Sequence, residues 1–414
     1  MALKHRKIVL LNPPYYRSVL RDYYCSTFPK APYYWQPIDL LSVAAMLNGK
    51  ADILMIDAVA RWMTAKQAKK IIDEFDPRAI YILSSTLTGE NDLALAKRLK
   101  APGRQLVLGG EMALDLEFDF KRFDFIDGLL LDFTDVRATG LFTGGACDGR
   151  LRTPTYSPSP PAVGERYAIG VMPHQFLNVG PYRMPLWRGP FYSLLTDFGC
   201  PFACAFCNSG RHSLGFKLRD LAEIAEEARQ LKKLGAEKIF IKDMTFGADL
   251  AHAEAVLSIL APYGFRLRGY LRADLVTPAF AKILKASGFE LAQIGVERPC
   301  EQDRYKLRKG IKDDIIVNAF QILQSQGIAA GAHFILGFEG DHVRTIADCL
   351  SRARAIGAAY CSINMYQHRR GTSALAAISG WGRQCLSIGA GLAMAGFNIN
   401  RQINYLRRHN GLNG

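Results

Sequence analysis

The sequence predicts two consecutive α/β domains: a doubly wound parallel sheet, then a partial (β/α)6 barrel with a short helical tail. Three observations carry this prediction. Short apolar runs alternate with helix-period segments from Lys7 to about Leu108, the same alternation resumes after Pro190, and between Gly144 and Pro190 the rhythm fails. Strands separated by helices need crossover connections, and crossovers build parallel sheets. At 414 residues, 49% hydrophobic and 22% charged, the chain can supply two packed cores. The boundaries this implies are a domain over 1–145, an extended connector over 146–189, a barrel over 190–372 and a tail over 373–414.

In the first domain "KIVLL" reads as a strand entering the loop "NPPYY", followed by the helix "PIDLLSVAAMLN" and the strand "ADILMID". The helix "TAKQAKKIIDEF", the strand "AIYILSS", the helix "ENDLALAKRLK" and the strand "QLVLGG" come next, and a fainter element lies in "FDFIDGLLLDFTD". Ligands of doubly wound sheets sit beyond the carboxyl ends of the strands. The residues there are Asn12 and Pro13, then Ser84, Ser85 and Thr86, then Gly109 and Gly110. All are small, polar or turn-forming, so a large planar ligand can approach the backbone closely.

The connector, with "TPTYSPSPPAVGERY" and "MPHQFLNVGPYRMPLWRGP", is rich in proline and aromatic residues and lacks periodicity. The barrel then starts with the strand "FYSLLTDF", a helix from about Leu218 to Leu234, and the strand "KIFIKD". "RLRGYLRAD", "LAQIGVE", "GAHFILGF" and "YCSINMYQ" are the later strands, each preceded by a helical segment. Six such units are too few for eight-fold closure.

Directly after the first barrel strand comes "DFGCPFACAFCNSG", with Cys200, Cys204 and Cys207. That is the end of a β/α barrel where chemistry is placed. Three thiolates can hold three irons of a four-iron cluster and leave the fourth iron open. A zinc site completed by His212 is the alternative. Nine cysteines, three of them clustered, suit a reducing cytoplasm better than a disulfide framework. The net charge of +14 suits an anionic substrate, a phosphate-bearing cofactor, nucleic acid or an acidic membrane surface, and no base-stacking module accompanies it. The stretch "CLSIGAGLAMAGF" is too short to span a bilayer, though it suits a membrane surface or a buried helix.

The C-x3-C-x2-C spacing, with Phe206 just before the last cysteine, resembles the signature of the radical S-adenosylmethionine (SAM) superfamily. The resemblance implies a [4Fe-4S] cluster whose open iron takes the amino and carboxylate groups of SAM. It also implies reductive cleavage to a 5′-deoxyadenosyl radical, with electrons from a flavodoxin or ferredoxin. It assigns SAM contacts to Asp243 in "IKDMTF", Arg272 in "LRAD", Glu297 in "GFELAQIGVER" and Leu336 in "HFILGFEGD". On the barrel strands, His333 and Tyr366 are the candidate catalytic residues.

The first domain is similar to the cobalamin-binding domain that precedes the radical core in cobalamin-dependent members. The resemblance is narrowest to the branch of anaerobic magnesium-protoporphyrin ester cyclase and hopanoid side-chain enzymes. It implies methylation of an unactivated carbon; cyclisation or rearrangement of a tetrapyrrole, sugar or isoprenoid-linked substrate is the alternative. The substrate is then a small or lipid-linked molecule, and the turn His368–Arg369–Arg370 suits an anionic group on it. Two departures stand out: no Asp-x-His-x-x-Gly motif supplies a lower cobalt ligand, and "DGLLLDFTD" replaces the family's Gly-Glu-Gly-Glu loop.

Overall fold

A computed structural model describes residues 6–21, 26–29, 33–114, 118–143, 164–184, 187–207, 215–366, 387, 389–395 and 397–398. His212, the turn at 368–372, much of the connector and most of the tail lie outside the described residues. The chain divides into two compact units, Met1–Leu194 with Lys217–Ala236, and Leu195–Phe216 with Glu237–Gly414. Among the described residues, no helix is long and apolar enough to cross a membrane.

The first unit is built on β1 (Lys7–Asn12), β2 (Asp52–Asp57), β3 (Ala79–Ser84), β4 (Gln105–Gly110) and β5 (Gly128–Leu130). They pair in parallel in the order β2-β1-β3-β4-β5. Every residue of β3 is buried, as the continuous apolar run "AIYILS" requires of a strand covered on both faces. The helices are α1 (Ile38–Leu47), α2 (Ala65–Phe75) and α3 (Gly89–Leu99). All ten residues of α1 are buried, whereas α2 buries only Ala68 and Ile72. The sequence of α2 shows why: lysines and acids occupy the other faces, and a Thr64–Gln67 capping box starts the helix. The strand order reverses between β1 and β3, which defines the ligand-binding crevice of such sheets.

Beyond the sheet follow α4 (Gly140–Thr143), β6 (Glu165–Tyr167), β7 (Tyr192–Leu194), β8 (Asp197–Phe198), which belongs to the second unit, and β9 (Lys217–Arg219). β6 and β9 pair in parallel, so the helix expected from Leu218 begins later, as α5 (Leu221–Lys233). Asp220 starts it by accepting from Ala222 N and Glu223 N. Inside the unit Glu227 accepts from Arg219 Nη2 at 2.6 Å and bonds His174 Nε2 at 3.0 Å. Burial pushes the Glu227 carboxyl up, but Arg219 and His174 outweigh it and hold it at about 2.

The second unit runs through β10 (Lys238–Ile241), α6 (Leu250–Leu260), β11 (Arg266–Leu271), α7 (Pro278–Ala286), β12 (Phe289–Glu297), α8 (Glu301–Lys306), α9 (Asp313–Ser325), β13 (Ala329–Leu336), α10 (Val343–Ala355) and β14 (Tyr360–Met365). Successive strands from β10 to β14 pair in parallel. Their faces differ. Phe334, Leu336, Cys361 and Ile363 are buried, while the alternate positions His333, Ile335 and Ser362 are partly accessible and Asn364 is exposed. Along the outer strand β14, the side chain of Asn398 accepts from Cys361 N at 2.9 Å and donates to Cys361 O at 3.0 Å. It satisfies backbone groups that an open strand edge would otherwise present.

The single strand expected over Phe191–Phe198 is two short pieces, β7 and β8. Thr196 N and Asp197 N donate to the Asp243 carboxylate at 2.6 and 3.2 Å, as does the Thr196 hydroxyl. Those amides are therefore taken by a side chain rather than by a sheet ladder.

Candidate active site

The cysteine loop leaves β8 through Gly199, at φ +90°, where a Cβ would collide with the Gly215 carbonyl. Cys207 N closes a turn on Cys204 O at 3.2 Å, and Ala205 N donates to Leu307 O at 2.8 Å. Arg272, just past β11, clamps the loop. Its guanidinium lies 3.7 Å from the centre of the Phe202 ring, Nη1 is 3.6 Å from Cys204 Sγ, and Asp274 holds it bidentately at 3.0 and 2.9 Å. Cys200 Sγ lies 3.6 Å from Thr245 Oγ1. Burial pushes the Cys204 thiol up, and the Lys309 and Arg272 charges oppose that push.

Three thiols on one cation-flanked loop fit a [4Fe-4S] cluster. Among the described residues no three Cys, His, Asp or Glu side chains converge as a single-ion site would require. A cubane instead takes each thiolate at a different iron.

Residues from later strands gather around the loop. Glu297 ends β12 at φ +66° and accepts from Lys309 Nζ at 2.7 Å. Leu336 is fully buried at the end of β13. Past it Gly337 N and Phe338 N donate to Asp341, which Arg298 also grips. Phe338 stacks on Tyr366 at 4.5 Å, and Leu307, Phe206 and Ile335 complete that apolar cluster. Tyr366, expected as a catalytic group, is thus buried in an aromatic stack. Asp243, expected against SAM, is fully buried and bonds Thr196 and Asp197 instead. Burial first, and then the Asp243 and Cys200 charges, push the Asp197 carboxyl well above the usual carboxylate range.

His333 faces the accessible side of β13 and bonds Tyr360 Oη through Nε2 at 2.6 Å. Gly331 makes room, since a Cβ there would collide with the Tyr360 ring. Burial, helped by the Lys309 charge, lowers the His333 imidazole to about 4, so it stays neutral near pH 7.

The carboxyl edge of the first unit is built differently. Arg21 is buried between the loops after β1 and β3, donating to Asn12 Oδ1 at 2.8 Å, Pro13 O at 2.7 Å, Thr88 Oγ1 at 3.1 Å and both oxygens of Asp92 at 2.7 and 3.1 Å. Asn12 donates to Asp57 at 2.9 Å, and Tyr182 Oη donates to the other Asp57 oxygen at 3.0 Å. Ser84 Oγ donates to Gly109 O at 2.6 Å. Ser85 is buried and Thr86 exposed. A Cβ on Gly110, at φ +86°, would run into Ser84 O at 2.5 Å. Tyr16 and Trp62, in the loops after β1 and β2, are 78% and 60% exposed.

Residues 196–353 match the model of the radical SAM superfamily. That segment, which carries the cysteine loop, is similar to the radical SAM domain. The chain is 23% identical over 394 residues, 89% of this chain and 82% of the relative, to an uncharacterised methyltransferase of Pyrococcus horikoshii. Anaerobic magnesium-protoporphyrin IX monomethyl ester cyclase of Rubrivivax gelatinosus is 25% identical over 167 residues, 38% of this chain and 29% of that enzyme. In fold it is similar to the radical SAM methyltransferase TsrM of Kitasatospora setae, solved with cobalamin and a [4Fe-4S] cluster bound. The TM-score is 0.66 at 16% identity, over 87% of this chain and 75% of that one.

Lys309, Phe202, Phe338 and Thr196 are site residues that the sequence reading missed. Only Lys309 had a signal, the dense cationic turn "KLRKG" ending in glycine.

Proposed function

We propose that the protein is a cobalamin-dependent radical SAM methyltransferase that acts on an unactivated carbon. The observation that carries this is the pairing of a cation-flanked C-x3-C-x2-C loop with a separate 2-1-3-4-5 parallel sheet in one chain. Cys200, Cys204 and Cys207 hold the cluster, Glu297 and the wall of Phe206, Phe338 and Tyr366 receive SAM, and Arg272 fixes the loop. The cluster and SAM supply a carbon-centred radical able to remove a substrate hydrogen. Cobalamin fits the first unit's edge. Asn12, Pro13, Ser84, Ser85, Gly109 and Gly110 line that edge as small or turn-forming buried residues, Thr86 is exposed beside them, and Tyr16 and Trp62 offer exposed rings for a broad planar ligand. When bound, it would carry the methyl group.

His333, held neutral and bonded to Tyr360, lies on the accessible barrel face and suits a hydrogen bond to substrate. The substrate is a small molecule, and a flavodoxin or ferredoxin is the matching electron donor. Both point to a reducing cytoplasm. Anaerobic reconstitution with iron and cobalamin, followed by incubation with dithionite and methyl-labelled SAM, tests the reading. Formation of 5′-deoxyadenosine together with label on bound cobalamin supports it. 5′-Deoxyadenosine without cobalt uptake overturns the methyl-transfer step and leaves cyclisation or rearrangement.

A further inference from the structure

Leu307–Gly310 lies along the cysteine loop. Leu307 O accepts from Ala205 N at 2.8 Å, Lys309 O accepts from Arg272 Nη2 at 3.3 Å, and that same guanidinium reaches Cys204. The turn is tightly specified, with Arg308 at φ +52°, Gly310 at φ +67°, and Lys309 N bonded to Arg304 O at 3.0 Å. It sends the Lys309 side chain inward to the Glu297 carboxylate, and both side chains are about nine-tenths buried. Glu297 occupies the left-handed region, which is unfavourable for a non-glycine residue. Gly295 clears the space, because a Cβ there would stand 2.7 Å from Lys309 Nζ and would collide with the Glu297 carboxylate. A strained backbone, a cleared wall and a special turn thus all serve one buried ion pair. Such a pair is poor evidence of stability, since an apolar pair of similar volume is often as stable.

We propose that Lys309 is a positioning residue that fixes Glu297 and balances its charge beside Cys204, so that the pair sets how readily a cluster on the three cysteines accepts an electron. This rests on the radical SAM reading of the site. Reduction adds one negative charge to the cluster. A nearby unpaired cation favours that step and an unpaired carboxylate opposes it, whereas an intact pair largely cancels.

The test is a redox titration of the anaerobically reconstituted full chain with dithionite as electron donor, without SAM, followed by electron paramagnetic resonance. Lys309→Met should shift the cluster's midpoint to more negative potential, Glu297→Gln to less negative. The double variant should lie between them and Lys309→Arg near the parent. A purely structural role predicts no such opposition of sign. Shifts of the same sign, or none at full iron loading, overturn the proposal. If Lys309→Met fails to load iron, Glu297→Gln and Lys309→Arg still carry the comparison. A parent chain that takes up iron but does not cleave SAM overturns the functional reading alone. A parent that takes up no iron overturns both.

Discussion

The carboxyl edges of the two units are built from similar small residues and turns, yet they spend their polar groups in opposite ways. At the first unit's edge Arg21, Asn12, Asp57 and Asp92 bond one another, Ser84 bonds the Gly109 carbonyl, and a guanidinium sits between the loops after β1 and β3. At the second unit's edge Arg272 clamps the loop that carries the three thiols, and one face of β13 and β14 remains partly accessible. A self-satisfied edge offers a ligand a surface to rest on, while an edge with reactive groups held in reserve offers bonds. Under the proposed function, the first unit would recognise its ligand by shape and the second would carry the chemistry.

The largest effect that would break this comparison comes from Cys204→Ala. Cluster loading and 5′-deoxyadenosine formation should fall below detection, while cobalt uptake by the same reconstituted chain persists. Loss of cobalt as well would mean the two edges are not independent. Next in size is Arg21→Met. It strands Asp92 as a buried unpaired charge, which costs about 3–5 kcal/mol. Denaturant unfolding should show that loss, and metal analysis should show cobalt falling while iron is retained. An unchanged cobalt content would remove the Arg21 network from the ligand's support.

The elements of these edges were legible from the sequence because their signals are local. The apolar runs of β1, β3 and β4, the turn residues after them and the cysteine spacing each lie within a dozen residues. What was not legible depends on register. Tyr360 meets His333 only because Gly331, its partner across the β13–β14 ladder, has no side chain. Lys309 reaches Glu297 only because Gly295 clears the wall. Asp243 was expected near SAM, but the break between β7 and β8 turns two amides onto it, and no local pattern announces that break. Nothing local to Arg21 marks it as buried; the loops after β1 and β3 enclose it.

A third prediction concerns pH. The folded His333 sits at about 4 against an ordinary 6.5, mainly through burial and secondarily through the Lys309 charge. Between those values the unfolded chain binds more protons than the folded one, so this contribution is complete above pH 6.5 and is lost as pH falls toward 4. The loss should be on the order of 2–3 kcal/mol. His333→Gln should flatten the dependence of the denaturant midpoint between pH 7.5 and pH 5. An equally steep slope in the variant would place the acid sensitivity elsewhere and remove the argument for a neutral imidazole in the barrel.

The smallest effect sharpens the contrast most finely. Ser84 is one of the small residues at the first unit's edge, and its hydroxyl donates to Gly109 O across the β3–β4 ladder. If that bond serves the sheet alone, Ser84→Ala should cost about 1 kcal/mol, the usual net worth of one buried hydrogen bond, and cobalt affinity should not move. If Ser84 also meets the ligand, affinity should fall by more than the stability change explains. Unfolding free energy and cobalamin titration on the same preparation separate the two. A self-satisfied edge predicts that only the first quantity changes, because the hydroxyl's single proton is already committed to the backbone.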